Sequence, residues 1–236
     1  MPLLPETIIG KTCEGHDVTW AEIEAASKDV REWLKLKTTS GSCSTGLAYQ
    51  LAAHYRRIPQ MFGDRLLLVD VHAVFDQIGE LEKAPFTRVA PTKPAKPFTA
   101  GPLKGLWRKH WFQASFLVTN ALNETKKHGE MLIRKHLNSE FGRDRWIGEV
   151  ITEKRAGKLV HAMVNGALSH RLGVGRKRSR LTGEWIIFAK VNGRNIYLTL
   201  AGHGETNEAV LSRCSLAPKE FPELASSAPF VAAAQP

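Results

Sequence analysis

The sequence predicts an α+β fold, helix-rich with a small antiparallel sheet, on three observations. Apolar residues recur at helical spacing through the first half of the chain. An Asn-Gly pair at 192–193 separates two alternating apolar runs. In the second half, the helical patterns precede the strands.

The first helix is expected in "TWAEIEAASKDVREWLKLK", where Thr19 and Glu22 form a capping-box signature and Ile23, Ala26, Val30 and Leu34 share a face. The turn "TTSGSCSTG" leads into a second helix, "LAYQLAAHYRRI", closed by Pro59 and Gly63. "RLLLVDVHAVF" reads as a buried strand, although its length also permits a short helix. Residues 84–102 carry five prolines without apolar periodicity and read as a linker or surface arm. Beyond them, "LKGLWRKHWFQASFLVTNALNE" places Leu106, His110, Ala114, Leu117 and Ala121 on one helical stripe. "GEMLIRKHLNSEFG" predicts a helix ended by Gly142, and "GKLVHAMVNGALSHRLG" another that stops at Gly173.

In the hairpin "GEWIIFAKVNGRNIYLTLAGHGE", Asn192 and Gly193 suit the positive φ angles of a two-residue type I′ turn. Pairing back from Val191 and Arg194 sets Trp185 opposite Leu200. Trp185, Ile187, Ala189, Val191, Ile196, Leu198 and Leu200 then fall on the core face, and Phe188 and Tyr197 form a cross-strand pair on the other. The same parity puts His203 on the Tyr197/Thr199 face, near Thr182 at the open end of the hairpin. A short helix is expected in "ETNEAVLSRC". The chain thus divides into an N-terminal helical or αβ region (1–83), the proline-rich linker or arm (84–102), a C-terminal α+β domain (103–216) and a disordered tail (217–236).

The charge balance narrows the partner. Lys and Arg total 33 against 23 Asp and Glu, a net +10 in a chain of 236 residues. Such an excess favours polyanions, and RNA is expected in preference to DNA. Three scattered cysteines with no CxxC pair argue against a cysteine-built zinc site and suit a reducing cytoplasm. No apolar run reaches membrane-spanning length, no cofactor motif or HExxH metal site is visible, and a protein inhibitor or other protein partner is left open.

The candidate phosphate contacts fall in two places. Arg171, Arg176, Lys177, Arg178 and Arg180 crowd a short basic loop, and Lys104, Arg108 and Lys109 alternate with tryptophans in "KGLWRKHWF". Proton transfer near neutral pH is the natural task of histidine. His203, between Gly202 and Gly204 at a strand end, is the first candidate. Glu205 is expected to orient it or share its work, and His110 is a second acid or base. Glycines at 202 and 204 would let the backbone leave the ladder and a ligand approach closely. Cys43, in "SGSCSTG" before a helix, offers a weaker nucleophile.

The order of helix, basic loop, hairpin and histidine-bearing strand end, over about residues 157–215, resembles the ribonuclease-toxin domains of the barnase, colicin and RelE-like group. Trp185 stands at the aromatic position of the first strand. The resemblance implies metal-independent endoribonuclease chemistry with no cofactor, the arginines holding phosphates and His203 moving the proton. The chain departs from the group in being more than twice the usual size and in lacking an evident antitoxin-binding tail. The competing expectations are a non-catalytic nucleic-acid-binding accessory protein of a mobile element and, more weakly, a transferase using Cys43.

Overall fold

In the computed structural model, residues 3–85, 92–113, 116, 130, 131, 133–139, 142, 158, 160, 161, 165 and 184–233 are described. The chain forms two compact units. One comprises residues 1–90, 94–112 and 184–236, and the other residues 91–93 and 113–183. In the second unit, residues 133–139 are helical, Leu137 is buried, and Gly142 follows with φ 89. Among the described residues no helix is long and apolar enough to cross a membrane.

The first unit has the expected α+β character. Its N-terminal hairpin, β1 (Ile8–Lys11) and β2 (Asp17–Thr19), runs into α1 (Trp20–Lys37). Thr19 and Glu22 complete the capping box reciprocally, and Ile23, Val30 and Leu34 are buried. After β3 (Ser42–Cys43), Ser44 caps α2 (Thr45–Tyr55). A second hairpin, β4 (Gln60–Phe62) and β5 (Arg65–Leu67), precedes α3 (Val71–Glu82).

"RLLLVDVHAVF" therefore splits, Arg65–Leu67 into a strand and Val71 onward into a helix. The Asp70 side chain accepts from the amides of His72 and Ala73, and an N-cap at that point ends the extended run after Leu67. Gly63 does not stop α2. It turns the β4–β5 hairpin at φ 66, and α2 ends where Arg57 takes φ 62.

A five-stranded sheet has the order β3-β9-β8-β7-β6, with β6 (Lys96–Pro97), β7 (Trp107–His110), β8 (Trp185–Val191) and β9 (Arg194–Ala201). Its strands are antiparallel except where β3 runs parallel to β9. Two expectations change here. The proline-rich arm contributes an edge strand, and Phe98 is buried in the core. "WRKH" is a strand, because Trp107 to His110 pair with Phe188 to Trp185, and ladder bonds to a distant partner override local helical spacing.

The central hairpin turns at Asn192 (φ 50) and Gly193 (φ 77), with Val191 opposite Arg194. Phe188 and Tyr197 pair with ring centroids 5.6 Å apart. The register then shifts. Phe188 faces Tyr197 but Ile187 faces Thr199, so Leu198 is an extra residue and Trp185 meets Ala201 instead of Leu200. This bulge reverses parity for the rest of β9. Ile187, Ala189, Ile196, Leu198 and Ala201 enter one core cluster, while Leu200 pairs with Ile186 on the opposite face.

Both faces are covered. Helices α1, α2 and α3 lie on the Phe188/Tyr197 side. On the other side Val210 and Cys214 of α4 (Asn207–Cys214) pack with Ala217, Leu224 and Phe230. The last three belong to α5 (Ala217–Glu220), a 3-10 turn (Pro222–Leu224) and α6 (Ala228–Ala233). The expected disordered tail is thus ordered through residue 233, held by apolar residues too sparse to show periodicity.

Candidate functional site

The site stands where β8 begins and β9 ends. Because Trp185 pairs with Ala201, Glu184 comes beside the strand exit at Gly202 and His203. Glu184 is 4% exposed. Its Oε2 accepts the His203 backbone N–H at 2.7 Å and lies 3.1 Å from His203 Nδ1, while Oε1 accepts from Arg65 Nη1 at 2.9 Å. Burial pushes the Glu184 carboxyl pKa up. The ring and backbone hydrogen bonds from His203, followed by the charges of His203 and Arg65, outweigh burial and hold it below the ordinary carboxylate range. A carboxylate facing Nδ1 places the imidazole proton there and leaves Nε2 as the basic nitrogen.

The His203 ring lies on Trp185, with centroids 4.5 Å apart, and 5.4 Å from the ring of His110. The bulge therefore delivers it to the Trp185 face, opposite to the parity expectation. Thr182, the neighbour expected for it, lies outside the described residues. His110 arrives from β7 instead of a helix, paired with Trp185 across the ladder. The Trp185 indole N–H donates to His110 Nε2 at 3.1 Å. An indole can only donate, so neutral His110 carries its proton on Nδ1. The two histidines are thus fixed in opposite senses: His203 presents an acceptor at Nε2, and His110 a donor at Nδ1.

The cationic neighbours divide clearly. The Arg65 side chain, like that of His203, is 46% exposed. The Arg108 guanidinium lies 4.9 Å from the Phe98 ring centroid and 4.7 Å from that of Trp185, on the sheet face that carries His110. Lys104 is exposed in the turn before β7. Lys109 is not a phosphate contact. It points to the other face, is 3% exposed, and is paired with Glu80 at 2.9 Å. Arg171, Arg176, Lys177, Arg178 and Arg180 lie outside the described residues.

Glu205 has a different task from the one expected. One oxygen accepts the Gly202 N–H at 3.1 Å and the other is bound by Arg213, so it braces the turn. The glycines likewise serve packing instead of ligand access. A Cβ on Gly202 would stand 2.8 Å from Phe62 Cβ, and one on Gly63 would stand 2.6 Å from the Gly204 carbonyl carbon. The strand stops at "GHGE" because the β4–β5 hairpin docks against it, which also carries Arg65 to Glu184.

Cys43 is no nucleophile: burial, with Glu82 nearby, pushes its thiol up to about 12. No group of three or more His, Cys, Asp or Glu among the described residues is arranged to hold a metal ion.

Sequence reasoning missed Glu184 and Arg65. Glu184 carried a usable signal, as an acidic residue directly before an aromatic-led strand whose partner ends in Gly-His-Gly. Arg65 carried none, since it reaches the site from 119 residues away in sequence. Comparison with protein-family models, curated proteins and solved structures finds no match.

Proposed function

We propose that this protein is a metal-independent endoribonuclease whose working group is the Glu184–His203 pair. The observation that carries the reading is a half-exposed histidine whose Nδ1 faces a buried, ionised carboxylate, with a second histidine ring 5.4 Å away.

In the proposed reaction, His203 Nε2 takes the proton of an RNA 2′-hydroxyl. The 2′-oxygen attacks the adjacent phosphorus, the bond to the 5′-oxygen breaks, and a 2′,3′-cyclic phosphate forms. The leaving oxygen takes a proton, which the imidazolium of His203 can return. The guanidinium groups of Arg65 and Arg108 stabilise the charge that builds on the phosphorane oxygens, and His110 is the second acid or base. Glu184 holds the His203 tautomer and stabilises the imidazolium, the role a carboxylate plays beside a catalytic histidine elsewhere. The net charge of +10 favours encounter with RNA.

The test is to incubate total RNA in excess EDTA with wild type and with His203→Ala. Cleavage by the wild type, reduced roughly 10²–10⁴-fold in the variant, is expected. Intact RNA with both proteins, at equal binding, would replace this reading with a non-catalytic binder. Equal cleavage by both would remove His203 from the mechanism.

A further inference from the structure

Away from the Glu184 end of the sheet, the last turns of α1, the segment leading into β3, and Phe221 enclose a cavity of about 300 Å³. It is lined by Arg31, Leu34, Lys35, Ser42, Cys43 and Phe221. Arg31 and Lys35 are four residues apart and so share one face of α1. Lys35 pairs outward with Glu32.

Arg31 is half-buried and donates from Nη2 to Thr45 Oγ1 at 2.8 Å; that hydroxyl in turn donates to Glu220 at 2.8 Å. No carboxylate among the described residues lies within ion-pair distance of Arg31, and no hydrogen bond among them engages the Ser42 hydroxyl. Phe221, partly buried, supplies apolar surface, and Leu34, 2% exposed, closes the floor. The nearby carboxylate of Glu82 is taken up by Asn195, Tyr197, Ser40 and Gly41, so it does not answer the guanidinium. Its charge is committed elsewhere.

We propose that this cavity binds a small organic anion built on one flat ring, held by a carboxylate or phosphate on Arg31. A planar guanidinium fork matches either group in a bidentate contact. The Ser42 hydroxyl donates to the same group or to a ring substituent. Phe221 packs against the ring. The volume is at the small end of ligand sites, which suits one ring and excludes an oligonucleotide.

The proposal is independent of RNA cleavage, and its test reads no cleavage. The full-length protein is titrated with benzoate, uridine 5′-monophosphate and inorganic phosphate, following the amide resonances of Gly41, Ser42 and Cys43. Saturable shifts with benzoate or the nucleotide by about 10 mM, ten times a Kd of roughly 1 mM, are expected. Whichever of the two binds more tightly identifies the anionic group. Arg31→Gln should weaken binding about tenfold or more, and Ser42→Ala should weaken it less, each with an unchanged melting temperature. No shift with either ring-bearing anion would overturn the proposal. So would equal affinity in both variants, or an affinity for inorganic phosphate matching that for the ring compounds.

Discussion

Two buried glutamates serve the same hairpin in opposite ways. Glu82, at the end of α3, receives Asn195 and Tyr197 on Oε1 and Thr39, Ser40 and Gly41 on Oε2. Two of these donors are backbone amides, and Tyr197 is fully buried. Glu184, at the start of β8, receives only His203 and Arg65, whose side chains are both half-exposed. Burial raises both carboxyls, and in both cases hydrogen bonds more than offset it and hold the group low. The carboxylate saturated by fixed donors ties α3 to the sheet. The one that holds an exposed imidazole has chemistry to offer. A depressed pKa does not distinguish the two roles; the exposure of the partner does.

Three variants sharpen this contrast, beginning with the largest effect. His54 is a third buried group, 3% exposed, with Nδ1 3.1 Å from the Ile58 carbonyl oxygen. Burial lowers its pKa to about 4, and the Ile58 contact only partly opposes this. The unfolded chain binds a proton below about pH 6.5. The folded state does not bind it until about pH 4. Stability therefore falls as pH drops between those values, by about 3 kcal/mol in all. Glu82 and Glu184 contribute only lower, as pH falls from the ordinary carboxyl value of 4.5 through their own depressed folded values. Urea unfolding at pH 7 and pH 4.5 should show this loss in the wild type and much less of it in His54→Gln. An equal loss in both would place the acid-sensitive group elsewhere.

Tyr197→Phe removes one donor from Glu82. It should cost about 1.5–3 kcal/mol, the range for a hydrogen bond to a charged group, with the RNA cleavage rate unchanged. A large loss of rate without loss of stability would mean that Glu82 is not merely structural. Glu205→Gln should matter least. The amide can still accept the Gly202 N–H and a bond from Arg213, and with the Glu205 side chain 4% exposed the change from a charged to a neutral acceptor should cost about 1 kcal/mol. A loss of cleavage as great as that of His203→Ala would restore Glu205 to the chemistry.

The legible parts of the sequence were those set by local rules. The Asn192-Gly193 turn follows from the φ angles it needs, and the Thr19 cap of α1 from donors three residues away. The Phe188–Tyr197 pair follows from counting back from the turn. The errors came from long-range partners. One extra residue at Leu198 moved His203 to the other face, and no local pattern marks a bulge whose purpose is to bury both Leu198 and Leu200. Trp107 in β7 and Trp111 just after it stand at near-helical spacing, and only the arrival of β8 makes 107–110 a strand. His203 was visible as a candidate because a histidine between glycines at a strand end is unusual. Its partner was only half legible: Glu184 stands directly before the aromatic-led strand, but choosing it over Glu205 depends on the register.

The account rests on Glu184 serving the chemistry and Glu82 serving the fold. Measuring melting temperature and RNA cleavage per folded molecule for Glu184→Gln and Glu82→Gln tests both halves together. The account predicts that Glu184→Gln loses roughly 10² or more in rate, since an amide neither enforces the His203 tautomer nor stabilises its imidazolium. Its melting temperature should change less than that of Glu82→Gln. In Glu82→Gln, loss of the carboxylate charge among five donors should lower stability by about 1.5–3 kcal/mol, with full activity in the molecules that remain folded. Full cleavage by Glu184→Gln, or a rate defect confined to Glu82→Gln, would contradict it.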